Sequence, residues 1–167
     1  MLLANAFDTY NSYDSADTAR REAVLHRRHL YDILEHLWQA YFSDVPRVNL
    51  VEIAYGQPWK RRLGLIRLSL DNTRTFIGVN ALLRLPDVPE CVLLTTIAHE
   101  MAHYAHGFGS PLPRLFEHPH AGNVVERELA RRGLGHIVQQ CDEWIDTEWF
   151  AFYERQRERA KIDRIRA

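Results

Sequence analysis

The feature that most constrains this chain is a polar triplet inside an apolar helical segment. The segment runs from about residue 87 to 106 and carries His99, Glu100 and His103 among valine, leucine, isoleucine and alanine residues. Histidines four positions apart on a helix project from one face, about one turn apart. A helix with so many apolar residues is expected to pack in a hydrophobic core. Burying three polar side chains there costs free energy unless they form hydrogen bonds or bind a metal. The fold must therefore bury this helix and still provide a partner for its polar face.

The H-E-x-x-H spacing predicts a metal site on this helix. Two imidazoles one turn apart can both reach a tetrahedral Zn²⁺ at nitrogen–metal distances of about 2.0–2.1 Å. Glu100 lies beside His99 and need not bind the metal, so it can accept a proton from a water that the metal activates. The alternative interpretation is a pair of core histidines whose hydrogen bonds are satisfied within the protein.

A catalytic zinc site generally has three protein ligands and one open position. The spacing alone leaves the third ligand open among several residues that follow the motif: His106, Glu117, His118, His120, Glu126 and Glu128. His106 lies too near His103 to complete a tetrahedron easily. It is interpreted either as a residue beside the site or as an exposed histidine at the helix end.

Hydrophobic periodicity predicts an α+β domain. It consists of an N-terminal helix, a small three-stranded and mostly antiparallel sheet, the HExxH active-site helix and C-terminal helices. The first helix would begin at Asp14 or Ser15, and the metal helix would have Asp87 as its N-cap. In chain order, the predicted segments are a helix to about 42, strands 48–55, 63–70 and 75–79, a helix to about 106, a loop 107–122, and helices 123–132 and 137–153.

A length of 167 residues is consistent with a single domain. Its core is predicted to span about 20–153, followed by a helical tail, 154–167, with six basic and three acidic residues. The net charge of −1 provides no global field for nucleic acid or an anionic membrane. The start of the chain lacks a secretory pattern, and no apolar run reaches the ~18 residues of a membrane span. These observations predict a cytoplasmic protein without a membrane partner.

The two cysteines, Cys91 and Cys141, form no C-x-x-C pair. A zinc ribbon or a dithiol redox motif is therefore excluded. Two buried thiols in a reducing compartment are the favoured interpretation, with one disulfide as the alternative.

Several short motifs together resemble the SprT/Spartan group of zinc metallopeptidases. They are Gly78-Val79-Asn80-Ala81-Leu82-Leu83, then HEMAHY at 99–104, then His120-Ala121-Gly122, and a helix closing at Arg132-Gly133-Leu134. The resemblance covers roughly residues 63–134 and implies a zincin-like fold, bound Zn²⁺ and His120 as the third ligand. Ala121 and Val124 replace the glycine and the aromatic residue usual in that group. Its cysteine zinc ribbon is absent, so repair of DNA–protein crosslinks is not implied.

The resemblance implies a zinc-dependent metalloendopeptidase with Glu100 as general base, acting on flexible protein or peptide substrates. The third predicted strand, 75–79, would be the sheet edge that pairs with substrate backbone. The 107–119 loop would form a lid or rim over the cleft. Candidate donors for the transition-state oxyanion, or rim residues, are Tyr104, Arg114 and Tyr153.

Three alternatives accompany this interpretation. Residues 126–131 are similar to the second helix of gluzincins, which would make Glu126 the third ligand, although Ala130 replaces the supporting aspartate of that group. His118 competes with His120 because only Pro119 separates them. The third alternative is a domain that binds zinc and a partner protein but does not cleave peptides. DNA is a further candidate partner, through the arginine-rich tail.

Overall fold

The structure is a computed structural model that describes residues 18, 20–21 and 29–166. The predicted helix start at Asp14 or Ser15 lies outside the described residues. Within the described part, helix α1 occupies 29–41. The elements that follow are β1 (Leu50–Tyr55), β2 (Gly64–Leu68), β3 (Arg74–Val79), α2 (Glu90–Ala105), α3 (Val124–Arg131) and α4 (Gly135–Arg166), with short 3-10 helices at Ala81–Arg84 and Ala121–Asn123.

The sheet is mixed, which corrects the prediction of a mostly antiparallel one. The hairpin prediction is confirmed, since β2 pairs antiparallel with β3, but β1 pairs parallel with β3. The strand order is β1-β3-β2, so β3 is central and cannot be the edge that pairs with substrate. That prediction was wrong because strand order in a sheet does not follow order in the chain. The edges of this sheet are β1 and β2.

Helix α2 lies in the middle of the fold and is buried along most of its length. It packs on β2 and β3 on one side and on α3 and α4 on the other. Its N-cap is Pro89, not the predicted Asp87, and no side chain caps it. Proline suits this position because its missing N–H would be unpaired there in any case. The helix ends before Gly107, whose φ of 79° disfavours any side-chain-bearing residue.

One cluster of buried side chains joins α1, the sheet and helices α2 to α4. Helix α4 extends without a break to Arg166, so the described part of the predicted tail is helical, with most of its residues exposed. Cys91 and Cys141 are both free thiols, as favoured from the sequence. No helix in the described part of the chain is long and apolar enough to cross a membrane.

Candidate metal centre and its cleft

Helix α2 brings His99 and His103 together on one face, as the spacing predicts. Their Nε2 atoms are 3.1 Å apart. Two ligands at about 2.0–2.1 Å from one tetrahedral ion lie about 3.3 Å from each other, so this separation matches a shared cation. Burial lowers the pKa of His99 to about 4 and of His103 to about 3. Both imidazoles are therefore neutral at pH 7, and each retains a lone pair for a metal.

The third histidine comes from the turn before α3. The 3-10 helix that follows His120 reverses the chain through Gly122 and Asn123, which have φ angles of 65° and 54°. The His120 ring lies 5.6 Å from that of His99 and 4.7 Å from that of His103, measured between centroids. One potential ligand atom from each of the three histidines lies within 4.8 Å of the others. These residues are close enough to bind one metal ion.

The two competitors for the third position lie outside this cluster. His118 has a side chain that is 72% exposed, and its Nε2 lies 3.8 Å from Glu117. Glu126 lines the same cleft, and its charge acts on His99. Neither belongs to the one group of metal-ligating side chains found among the described residues, which contains His120.

Glu100 points into the site from beneath the sheet edge. Its side chain is buried, and burial raises its pKa to about 8, while the charge of Arg62 acts in the opposite direction. Gly64, the first residue of β2, lies directly against it. A Cβ added at Gly64 would come within 2.6 Å of the Glu100 Oε1 atom. The absence of a side chain at residue 64 therefore makes room for the carboxyl group.

The cluster lies in an open cleft of about 660 Å³. Edge strand β2 forms one wall, through Gly64, Leu65 and Ile66. The 107–122 loop supplies a rim at both of its ends, through Phe108, Gly109, Pro119 and His120, which agrees with the rim interpretation. The remaining lining residues are Arg61, Arg62, Leu63, Thr95, Thr96, His99, Glu100, His103, Glu126, Leu129, Val138, Asp142 and Ile145. The cleft thus lies between an edge strand of the sheet and the three histidines.

The three oxyanion candidates do not line the cleft. Tyr104 is fully buried, and its hydroxyl donates to Asn49 Oδ1 at 2.8 Å. Arg114 lies over the Phe108 ring at 4.8 Å, and Tyr153 packs against Trp149. None of the three therefore offers a donor within the cleft, although Arg114 contacts the rim residue Phe108.

Sequence reasoning missed the two cations of the cleft, Arg61 and Arg62. They lie in the segment between β1 and β2, whose only sequence signals are the break at Gly56-Gln57-Pro58 and two adjacent basic residues. His106 is buried, so it is not the exposed histidine at the helix end. Its Nε2 atom lies 3.7 Å from Glu128, and its ring packs on Phe116. It does not line the cleft, but its charge acts on His103, which agrees with a position beside the site.

Comparisons with models of protein families, with curated proteins and with solved structures find no significant match to this chain. The protein is therefore described by its fold and its site alone. This is an α+β protein whose central helix and a following turn bring three histidines together beside a buried carboxyl group.

Proposed function

We propose that this protein is a zinc-dependent metallopeptidase. The observation that carries the proposal is the convergence of three imidazoles and Glu100 in one cleft, beside edge strand β2. Neutral imidazoles are ligands that suit zinc among the common biological metals. A zinc ion held there supplies Lewis-acid polarisation of a peptide carbonyl and activation of a water molecule.

The chain's own residues account for the other requirements of peptide hydrolysis. Glu100 serves as the general base and then passes the proton to the leaving amine. Its raised pKa keeps it protonated in the metal-free site, so it needs a nearby positive charge before it can accept a proton. Strand β2 offers backbone groups on its free edge, which favours an extended or unfolded segment as substrate.

The nitrogen geometry of the site also favours a bound cation over a purely structural histidine pair. His99 and His103 direct Nε2 atoms at each other, and two neutral imidazoles in that arrangement form one hydrogen bond at most. The buried Nδ1 of His103 finds no partner within the described ranges. That nitrogen can carry the proton while Nε2 keeps its lone pair towards the cleft. The zincin-like fold and the kinship with SprT peptidases remain part of this proposal.

The test compares wild-type protein with Glu100→Gln for metal content and for cleavage of an unfolded protein such as casein. Wild type should bind about one zinc per chain and cleave the substrate. Glu100→Gln should retain the zinc and lose cleavage by about 10²–10⁴-fold, because only the general base is removed. His118→Ala serves as the matched control and should change neither quantity.

Two outcomes would contradict the proposal. A wild-type protein that binds no transition metal would exclude the metal centre altogether. A zinc-loaded wild type without cleavage of casein or of unstructured peptides would support the non-proteolytic zinc-binding domain instead.

A further inference from the structure

The loop between β1 and β2 is irregular, yet its backbone is held on both sides. Asn80, which is completely buried, donates from Nδ2 to the carbonyl oxygens of Trp59 and Arg62 at 2.7 and 2.8 Å. The Asn80 N–H donates to Leu63 at 2.8 Å, and Trp149 Nε1 donates to Lys60 at 2.8 Å. Four carbonyl groups within residues 59–63 thus have donors outside the loop, which holds the loop in one conformation.

This rigid loop places Arg61 and Arg62 in the wall of the cleft. Within the described residues, Arg62 forms no hydrogen bond or ion pair through its guanidinium group. Arg62 is also only two positions from Gly64, which lies against Glu100. A guanidinium presents a planar set of donors that matches a carboxylate bidentately, and a preorganised backbone reduces the entropy cost of that contact. The cleft wall therefore carries an exposed cation on a backbone held in place, with its donors available.

The acidic groups of the cleft come from other elements. Glu126 lies on α3 and Asp142 on α4, whereas Glu100 lies on α2, where the charge of Arg62 acts on it; all three line the cleft. A substrate carboxylate would be repelled by these groups and attracted by the arginines. The charge distribution thus orients a bound peptide with its carboxylate towards the 57–63 loop.

We infer that Arg62, with Arg61 beside it, binds a carboxylate group of the peptide substrate, and that the enzyme selects peptides carrying one near the scissile bond. This inference rests on the proposed peptidase function and adds the substrate class. The carboxylate comes either from an acidic side chain or from the free C-terminus of a short peptide.

Binding of fluorescein-labelled peptides, measured by fluorescence anisotropy, tests the inference without requiring turnover. Three peptides of one length are compared: one with an internal glutamate and an amidated C-terminus, one with glutamine and a free C-terminus, and one with glutamine and an amidated C-terminus. Each is titrated against metal-free wild type and against zinc-loaded Glu100→Gln. At least one of the carboxylate peptides should bind tighter than the neutral peptide, and which one does so identifies the source of the carboxylate.

The Arg62→Gln substitution should weaken binding of the preferred peptide about tenfold to a hundredfold and leave the neutral peptide unchanged. Arg62→Lys should recover part of the loss, because it keeps the charge and loses the bidentate geometry. Arg67→Gln is the matched control, since Arg67 is an exposed arginine on the following strand β2 that packs on Phe76 outside the cleft. Circular dichroism should show that all variants are folded, as these side chains are exposed.

Equal affinity for all three peptides, equal weakening of all three by Arg62→Gln, or no measurable binding would each overturn the inference. A variant that binds normally but cleaves slowly would assign Arg62 to the reaction's transition state and likewise overturn it. Failure of the peptidase proposal has a different signature. In that case zinc or cleavage is absent while the selectivity of the metal-free protein for carboxylates persists.

Discussion

The two halves of the candidate metal centre are built differently. His99 and His103 lie on a helix buried between the sheet and two other helices, with Nε2 atoms 3.1 Å apart. His120 is exposed and lies in a turn that depends on Gly122 and Asn123 in left-handed conformations, without a side-chain cap. The first pair is positioned by the core, whereas the third ligand is positioned only by local backbone geometry. Metal affinity should therefore depend on the two halves unequally.

The largest effect should come from the helical ligands. His103→Ala should weaken zinc binding by on the order of 10³-fold or more, and His120→Ala by on the order of 10²-fold, since an intact helical pair can still bind metal. Competition with a chromogenic chelator measures both affinities. Equal losses would contradict the asymmetry, and full zinc stoichiometry in His120→Ala would exclude His120 as a ligand.

The next largest effect should come from Asn80, the buried side chain that holds the loop before β2. Asn80→Ala removes both donors to the 59–62 backbone and the acceptor for the Leu82 N–H. The free energy of unfolding should fall by about 3 kcal/mol, since buried carbonyl groups lose their partners. Asn80→Asp keeps the acceptor and should lose nearly as much. Urea denaturation measures both, and a loss below about 1 kcal/mol would show that the loop is held by other contacts.

Substitutions at two glycines compare strand β2 with the turn that carries His120. Gly64→Ala places a Cβ within 2.6 Å of Glu100 Oε1 and 2.9 Å of Thr96 Cγ2, so cleavage should fall roughly tenfold to a hundredfold with zinc retained. Gly122→Ala meets nothing nearer than 3.9 Å and should cost only about 1 kcal/mol of backbone strain, with a severalfold weaker zinc affinity. Kinetics and zinc titration separate the two effects. If Gly64→Ala instead lost zinc, the result would mean that β2 supports the metal ligands.

The smallest net effect should be the pH dependence of the metal-free protein, because two contributions oppose each other. The folded-state pKa values of His99 and His103 lie below 6.5, so their contribution to stability is lost as pH falls below 6.5. The folded-state pKa of Glu100 is about 8 against 4.5 unfolded, so its contribution is lost as pH rises between those values.

Thermal unfolding across pH 4.5–8 should therefore show maximum stability near pH 6.5 in the chelator-treated protein. Glu100→Gln should remove the decline on the alkaline side and steepen the loss on the acidic side, where Glu100 no longer opposes the two histidines. An alkaline decline that persists in this variant would assign it to another group.

Much of the site and the element types could be predicted from local patterns. The pairing of His99 with His103 follows from helical periodicity, and the β2–β3 hairpin follows from a short polar turn between apolar strands. The helical tail also follows from local composition. These features depend on neighbours within a few residues, and their geometry is repeated in every helix or hairpin.

Apart from the N-cap of α2, the errors concern contacts between distant segments. Strand β3 enters the sheet between β1 and β2, and Tyr104 turns into the core to bond Asn49, 55 positions away in sequence. No local pattern specifies either arrangement. The same reason explains why Arg62 was overlooked, since its place in the cleft depends on Asn80 and Trp149.

By itself, the sequence determined that a buried helix carries two histidines and a glutamate in metal-binding register, because the α-helical repeat is set by the backbone. It also narrowed the third ligand to a few residues. Only the tertiary structure decided that His120 joins the pair, that edge strand β2 borders the cleft and that Arg62 lines it. These outcomes depend on how separate elements pack to bury apolar surface, and that packing brings together residues which no local spacing relates.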